Sequence, residues 1–246
     1  MRSSSLAALT AAASGVLAFT PPGFEPSSKT NLLVTYGSVA ALNGTVVAKA
    51  AVASAPTLAT ENKLDGTSFL VIMIDRDIPT DHPPVVSTLL HWMQPGFTQS
   101  CPSTQNTTTG ALSDYILSPS EAAYAEYLSP SPPAYVPLSH QYTQVLVDTS
   151  AATDSQLATL MTAAKNRTAF DVKATLTQAG LIEKVVAGNW FNVTNPGPAQ
   201  PPPNTTTSGS TSATNTATPP AQGDAMPREV NGLIMIAMAA VMYFAL

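Results

Sequence analysis

Six consecutive apolar residues, Phe69-Leu70-Val71-Ile72-Met73-Ile74, constrain this chain more than any other feature. A strand turns successive side chains to opposite faces, so an unbroken apolar run needs cover on both of them. The run is short for a helix, and its β-branched and aromatic members favour the extended form. It predicts a central strand, buried on both faces and ending abruptly at the carboxylate of Asp75.

Other strands are predicted around it. Leu32-Leu33-Val34-Thr35-Tyr36 and Val46-Val47-Ala48 are separated by Gly37 and by the turn signal Asn43-Gly44. Leu89-Leu90-His91-Trp92-Met93 and Tyr142-Thr143-Gln144-Val145-Leu146-Val147 supply two more. Two helices are expected after them. One opens at Ser118-Pro119-Ser120-Glu121, a capping box with proline at the first helical position, followed by AAYAEYL. The other covers residues 155–165, where Leu157, Leu160, Met161 and Ala164 fall on one face. Strands first and helices later describe a mainly β, α+β domain with a sheet core.

The ends of the chain read differently. Residues 6–17 are apolar and uncharged behind Arg2, and Val16-Leu17-Ala18 suits signal peptidase, so residues 1–18 read as a signal peptide cleaved after Ala18. Residues 196–230 are rich in Pro, Ser and Thr with little apolar mass, the composition of an O-glycosylated stalk. The apolar residues LIMIAMAAVMYFAL then follow a polar spacer and a small-residue cluster around Gly223. That arrangement is the signal for a glycosylphosphatidylinositol anchor, with Gly223 as the expected attachment residue and residues 231–246 removed. A single-pass membrane anchor is the competing reading. The remainder is one domain, residues 19–195, large enough for one substantial core.

Five sequons, at Asn43, Asn106, Asn166, Asn192 and Asn204, agree with a secreted, cell-surface glycoprotein. The one cysteine, Cys101, excludes an intrachain disulfide; it is either a small buried apolar residue or a thiol that pairs between chains. A net charge of −5, with no clustered Lys or Arg, excludes a nucleic-acid partner. No nucleophile elbow, zinc-protease helix or phosphate loop occurs. Asp75-Arg76-Asp77 resembles the opening of a calcium loop but lacks its glycine and closing glutamate, so neither metal nor cofactor is expected. A hydrolase built on Asp75 and His91 would have no activated nucleophile.

A binding constellation remains. Asp75 and Asp77 alternate after the buried strand, Pro79 stiffens the turn beyond them, and His140 and Tyr142 project to one face of theirs. His91 stands mid-strand, and the proline-rich loop Ser129-Pro130-Ser131-Pro132-Pro133 precedes His140. Five segments in order, Asp75-Arg76-Asp77-Ile78-Pro79, His91-Trp92, Tyr127 to Pro133, His140-Gln141-Tyr142 and Ala187-Gly188-Asn189-Trp190-Phe191, resemble the signature of the phosphatidylethanolamine-binding protein family. The resemblance implies a large central β-sheet, a smaller second sheet, peripheral helices and no catalytic residues. It also implies a small pocket for a phosphate-like anion or phospholipid headgroup. Asp75, Pro79, His91, Pro132, His140 and Tyr142 would form that pocket, with Asp77 supporting the loop. Affinity would rise below about pH 6.5, the ordinary histidine value. A role as inhibitor of a secreted carboxypeptidase-type protease, and a purely structural role at the cell surface, are the alternatives. Three departures stand out: Arg76 for proline, Gln141 for arginine, and Ser and Pro130 for the loop glycines. Arg76 is expected to be solvated.

Overall fold

The computed structural model describes residues 18–100 and 114–200. Nine strands, β1 Leu33–Tyr36, β2 Val39–Ala40, β3 Val46–Val47, β4 Thr57–Thr60, β5 Phe69–Pro79, β6 Val86–Gln99, β7 Tyr115–Pro119, β8 Ser139–Asp148 and β9 Val185–Thr194, form one sheet. Helices α1 Asp154–Ala163 and α2 Val172–Gln178 lie between β8 and β9. The strand order is β2-β1-β4-β7-β6-β5-β8-β9-β3. Strands β1, β2 and β4 form the smaller outer wing, joined to the long strands through β7. The fold is thus mainly β with few helices, as expected.

The apolar run is the middle of the sheet, with β6 on one side of β5 and β8 on the other. Its alternation splits the core in two. Phe69, Val71 and Met73 join one buried cluster with Trp92, Tyr142, Leu146 and Phe191. Leu70, Ile72 and Ile74 join a second with Leu90, Val145, Leu160 and Leu176, beneath the helices. Fully burying each of these side chains contributes roughly 1.5–3 kcal/mol, which is why the six-residue run needed two covered faces. The strand does not stop at Asp75, however. It stays paired as far as Pro79, which faces Val86.

The helix expected from the capping box at Ser118 is absent. Pro119 pairs with Phe97, and Ser120 donates from its backbone N–H to the Gly96 carbonyl at 3.0 Å. The carbonyl of Glu121 accepts from Gln94 Nε2, and Tyr124 and Ala125 donate to Met93. The 14-residue strand β6 offers an unpaired edge. The segment satisfies its backbone groups there rather than internally, so tertiary pairing overrides a local signal. The second expected helix is α1, capped by Thr153 and Gln156 in a reciprocal capping box. Leu160 and Ala164 of its expected apolar face are buried, but Met161 is exposed. Helix α2 carries no such periodic signal; Asp171 caps it by accepting from the Ala174 N–H at 2.9 Å.

Among the described residues, no helix is long and apolar enough to cross a membrane. The signal peptide, Cys101, Asn106, Asn204, the stalk and Gly223 lie outside the described residues. Asn43 and Asn166 are exposed. Asn192 is half-buried in β9 and donates from Nδ2 to the Gly44 carbonyl at 2.9 Å.

Candidate functional site: a sealed carboxylate–histidine–tyrosine cluster

Three adjacent strands bring the cluster together. Asp75 on β5 faces Tyr142 on β8, two residues from His140. His91 arrives from β6 by a bulge. Met73 pairs with Trp92 and Ile74 with Leu90, so His91 is the extra residue between two regular pairs. A bulge of this kind re-aims a side chain that strict alternation would send to the other face. His91 therefore joins Trp92 on the face of Tyr142, its ring edge-on to the tyrosine at a centroid distance of 5.1 Å.

Asp75 is the hub, and it is buried. Its Oδ2 accepts from His140 Nδ1 at 2.7 Å and lies 3.9 Å from His91 Nε2. Its Oδ1 accepts from the Asp77 backbone N–H at 2.8 Å. Asp77 in turn accepts from the Gln141 backbone N–H at 2.7 Å, which ties the end of β5 to β8. It therefore serves as a support, in the role expected for it.

The histidine tautomers follow from their partners. His91 Nδ1 donates to the Leu128 carbonyl at 2.7 Å, and the Leu128 N–H donates back to the His91 carbonyl at 2.7 Å. His140 spends its Nδ1–H on Asp75. In each neutral ring the remaining nitrogen, Nε2, therefore carries a lone pair and becomes a donor only on protonation. Burial pushes the His91 pKa below the ordinary value, against the opposing pull of the Leu128 carbonyl and the Asp75 charge. Burial, reinforced by Asp75, raises the pKa of Tyr142, which keeps its hydroxyl a donor.

Three polar atoms of this cluster are sealed from solvent: His91 Nε2 and His140 Nε2 have no hydrogen-bond partner, and the Tyr142 hydroxyl has only the Asp75 carboxylate beside it. Each such group costs about 1–3 kcal/mol relative to a satisfied one. Native structures leave few buried polar atoms unsatisfied, so several at one place call for an explanation other than stability.

Around the cluster, Tyr142 stacks on Phe191 at 5.5 Å, and Phe191 meets Tyr36 edge-on at 5.6 Å. Pro79 closes β5 opposite Val86, and Pro132 is buried in the loop, its carbonyl accepting from Asn195 Nδ2 at 2.9 Å. The contacts of the cluster join Asp75 to His140 and His91, and the His91 ring to that of Tyr142. His82 is exposed on the loop after β5.

One residue escaped sequence reasoning, and one expectation is corrected. Arg167 donates to the carbonyls of Leu90 and His91 at 3.1 and 3.2 Å, and to that of Glu126 at 2.7 Å. It holds the bulged strand and the loop before Leu128 in register. Nothing in the sequence pointed to it, because its partners are backbone atoms more than 40 residues away. Arg76 is not freely solvated. It donates to Gln141 Oε1 at 2.5 Å and lies over the Phe24 ring at 5.4 Å. The two departures from the family pattern thus meet each other across β5 and β8. Among the described residues, no three His, Cys, Asp or Glu side chains group to hold a metal ion.

The family model described as phosphatidylethanolamine-binding protein matches residues 34–191. The phomoidride biosynthesis cluster protein N of Talaromyces stipitatus is 33% identical over 193 residues, covering 70% of this chain and 88% of that protein. Two solved structures are also similar. A carboxypeptidase Y inhibitor complexed with its cognate proteinase has 18% identity and a TM-score of 0.49, covering 69% of this chain and 85% of that one. A phosphatidylethanolamine-binding protein from Plasmodium vivax has 12% identity and a TM-score of 0.45, covering 68% of this chain and 86% of that one. With the family model matched over more than half of its length, from β1 to β9, the chain belongs to the phosphatidylethanolamine-binding protein family.

Proposed function

We propose that the protein binds a phosphate-like anion, such as a phospholipid headgroup, at His91, His140 and Tyr142, and that it performs no catalysis there. One observation carries the reading: two buried histidine nitrogens without partners and the Tyr142 hydroxyl converge around one carboxylate. An anion bound there would accept from the Tyr142 hydroxyl and from the protonated Nε2 of His91. Such charge-assisted bonds are about twice as strong as neutral ones. Asp75 favours the histidinium by balancing its charge. Because the three atoms are sealed, entry requires neighbouring side chains to part.

The sequence supports a location at the cell exterior: a signal peptide, exposed sequon residues at Asn43 and Asn166, and a lipid anchor near Gly223. The test is a titration of the purified protein with phosphoethanolamine, followed through the histidine ring signals by NMR at about pH 6, near the ordinary histidine value. Saturable shifts at His91 and His140, abolished by His91→Ala, are expected. No shift at either ring would overturn the proposal.

A further inference from the structure

We infer that a groove on the face of the sheet turned away from the histidine cluster binds a carboxylic acid with an apolar chain, its carboxylate gripped by Arg76. Successive residues of a strand face opposite ways. Arg76 therefore turns from Asp75 toward the side of Ile74, and Gln141 turns from His140 and Tyr142 toward that same side. A groove of about 520 Å³ opens there, a size in the ordinary range for small-molecule sites, roughly 300–1,000 Å³. Phe24, Ile74, Phe170 and Val172, all buried members of the second core cluster, give it an apolar lining. Ser87 and Thr88 of β6 also line it.

Arg76 marks this groove as a site. The guanidinium is half-buried, and the groups that hold it are a neutral amide and a ring. Its Nη1 donates to Gln141 Oε1 at 2.5 Å, and its Cζ lies 5.4 Å from the centroid of Phe24. A charge drawn out of water is ordinarily matched by an opposite one, which a ligand carboxylate would supply. With Nη1 spent on Gln141, the edge formed by Nε and Nη2 is left. That edge carries two parallel N–H groups at the spacing of the two carboxylate oxygens, and the pairing is bidentate. The other charged groups lining the groove are already engaged. Lys173 pairs with Glu25, and Asp171 caps α2 by accepting from the Ala174 N–H at 2.9 Å. The apolar chain would lie along the rings of Phe24 and Phe170. The wall beside them is fixed in advance. Ala169 holds φ +52, a conformation rare outside glycine, while its N–H donates to the Thr88 carbonyl at 2.8 Å and the Thr88 hydroxyl donates to that of Phe170 at 2.8 Å. A preformed wall spares a ligand the cost of ordering it. Arg76 stands where the family signature has proline, so the groove is a feature of this chain's own departures and does not rest on the anion site.

Titration of the purified protein with octanoate at about pH 7, where the acid is ionised, tests the inference. NMR follows the Arg76 Nε–H signal and the contacts between octanoate protons and the rings of Phe24 and Phe170. A saturable shift of the Nε–H, with Overhauser contacts to both rings, is expected. Acetate lacks the chain and octanol lacks the charge, so each should bind at least about tenfold more weakly. Arg76→Lys keeps the charge but loses the planar edge and should weaken octanoate about tenfold, with Arg76→Gln weaker still. If neither variant folds, the contacts in the unaltered protein decide. His91→Ala should leave octanoate binding unchanged, and phosphoethanolamine should not displace octanoate, so this groove and the anion site succeed or fail separately. Octanoate shifting the His91 ring instead of Arg76, octanol binding as tightly as octanoate, octyl phosphate binding more tightly, or no saturation at all would overturn the inference.

Discussion

Raising the pH should weaken anion binding, and the hydrogen bonds of His91 set the slope. Its Nδ1–H is committed to the Leu128 carbonyl, so neutral His91 presents a lone pair at Nε2. An anion can be held at that atom only if the site takes up a proton. Burial keeps the His91 pKa below the ordinary 6.5, so above about pH 7 the free site is nearly unprotonated there. A phosphate monoester, with its second pKa near about 6, is already a dianion in that range and contributes no further change. Each proton taken up then costs a factor of about ten in affinity per pH unit, about 1.4 kcal/mol. From about pH 7 to about pH 8.5 the affinity for phosphoethanolamine should fall roughly 30-fold. Calorimetric titration in two buffers of different ionisation heat gives the affinity and the proton count together. His91→Gln, whose amide does not titrate, should reduce the slope by one proton. Constant affinity across the range with no proton uptake would refute the reasoning.

Three further outcomes are expected from the same geometry. Tyr142→Phe removes a buried hydroxyl whose neighbour is the Asp75 carboxylate. It should change urea stability by no more than about 1 kcal/mol, yet weaken phosphoethanolamine binding by about fivefold, the worth of one hydrogen bond of about 1 kcal/mol. Because the His91 pKa is held below its unfolded value of 6.5, the unfolded chain binds more protons than the folded one between those two values. Ligand-free stability is therefore fullest above about pH 6.5 and falls toward acid by up to about 1.4 kcal/mol per pH unit; urea melts of the protein and His91→Gln should diverge only in that window. Gly44 sits at φ +82, and a Cβ added there would end 2.4 Å from the Trp190 ring. Gly44→Ala should cost more than about 1 kcal/mol in the same assay, through backbone strain and displacement of the indole.

Much of this was readable from local chemistry. Six apolar residues in a row demanded a strand covered on both faces, and β5 lies between two separate cores. Alternation placed His140 and Tyr142 on one face, and both are buried together beside Asp75. Other features depend on contacts that no local window contains. The expected helix after Ser118 yields to the edge of β6, whose free backbone groups lie some 25 residues back in the chain. The reach of β5 past Asp75 follows from its partners' length, since Ile78 and Pro79 still find Ser87 and Val86 opposite. Most consequential is His91. Its neighbours in sequence would send it away from Tyr142, and only the mismatch in register between β5 and β6 turns it inward. Side-chain period and burial are properties of a segment, whereas register, bulges and the sharing of a carboxylate are properties of pairs. Asp75, His91 and Tyr142 were therefore legible as residues, and only the pairing of β5 with β6 and β8 made them a site.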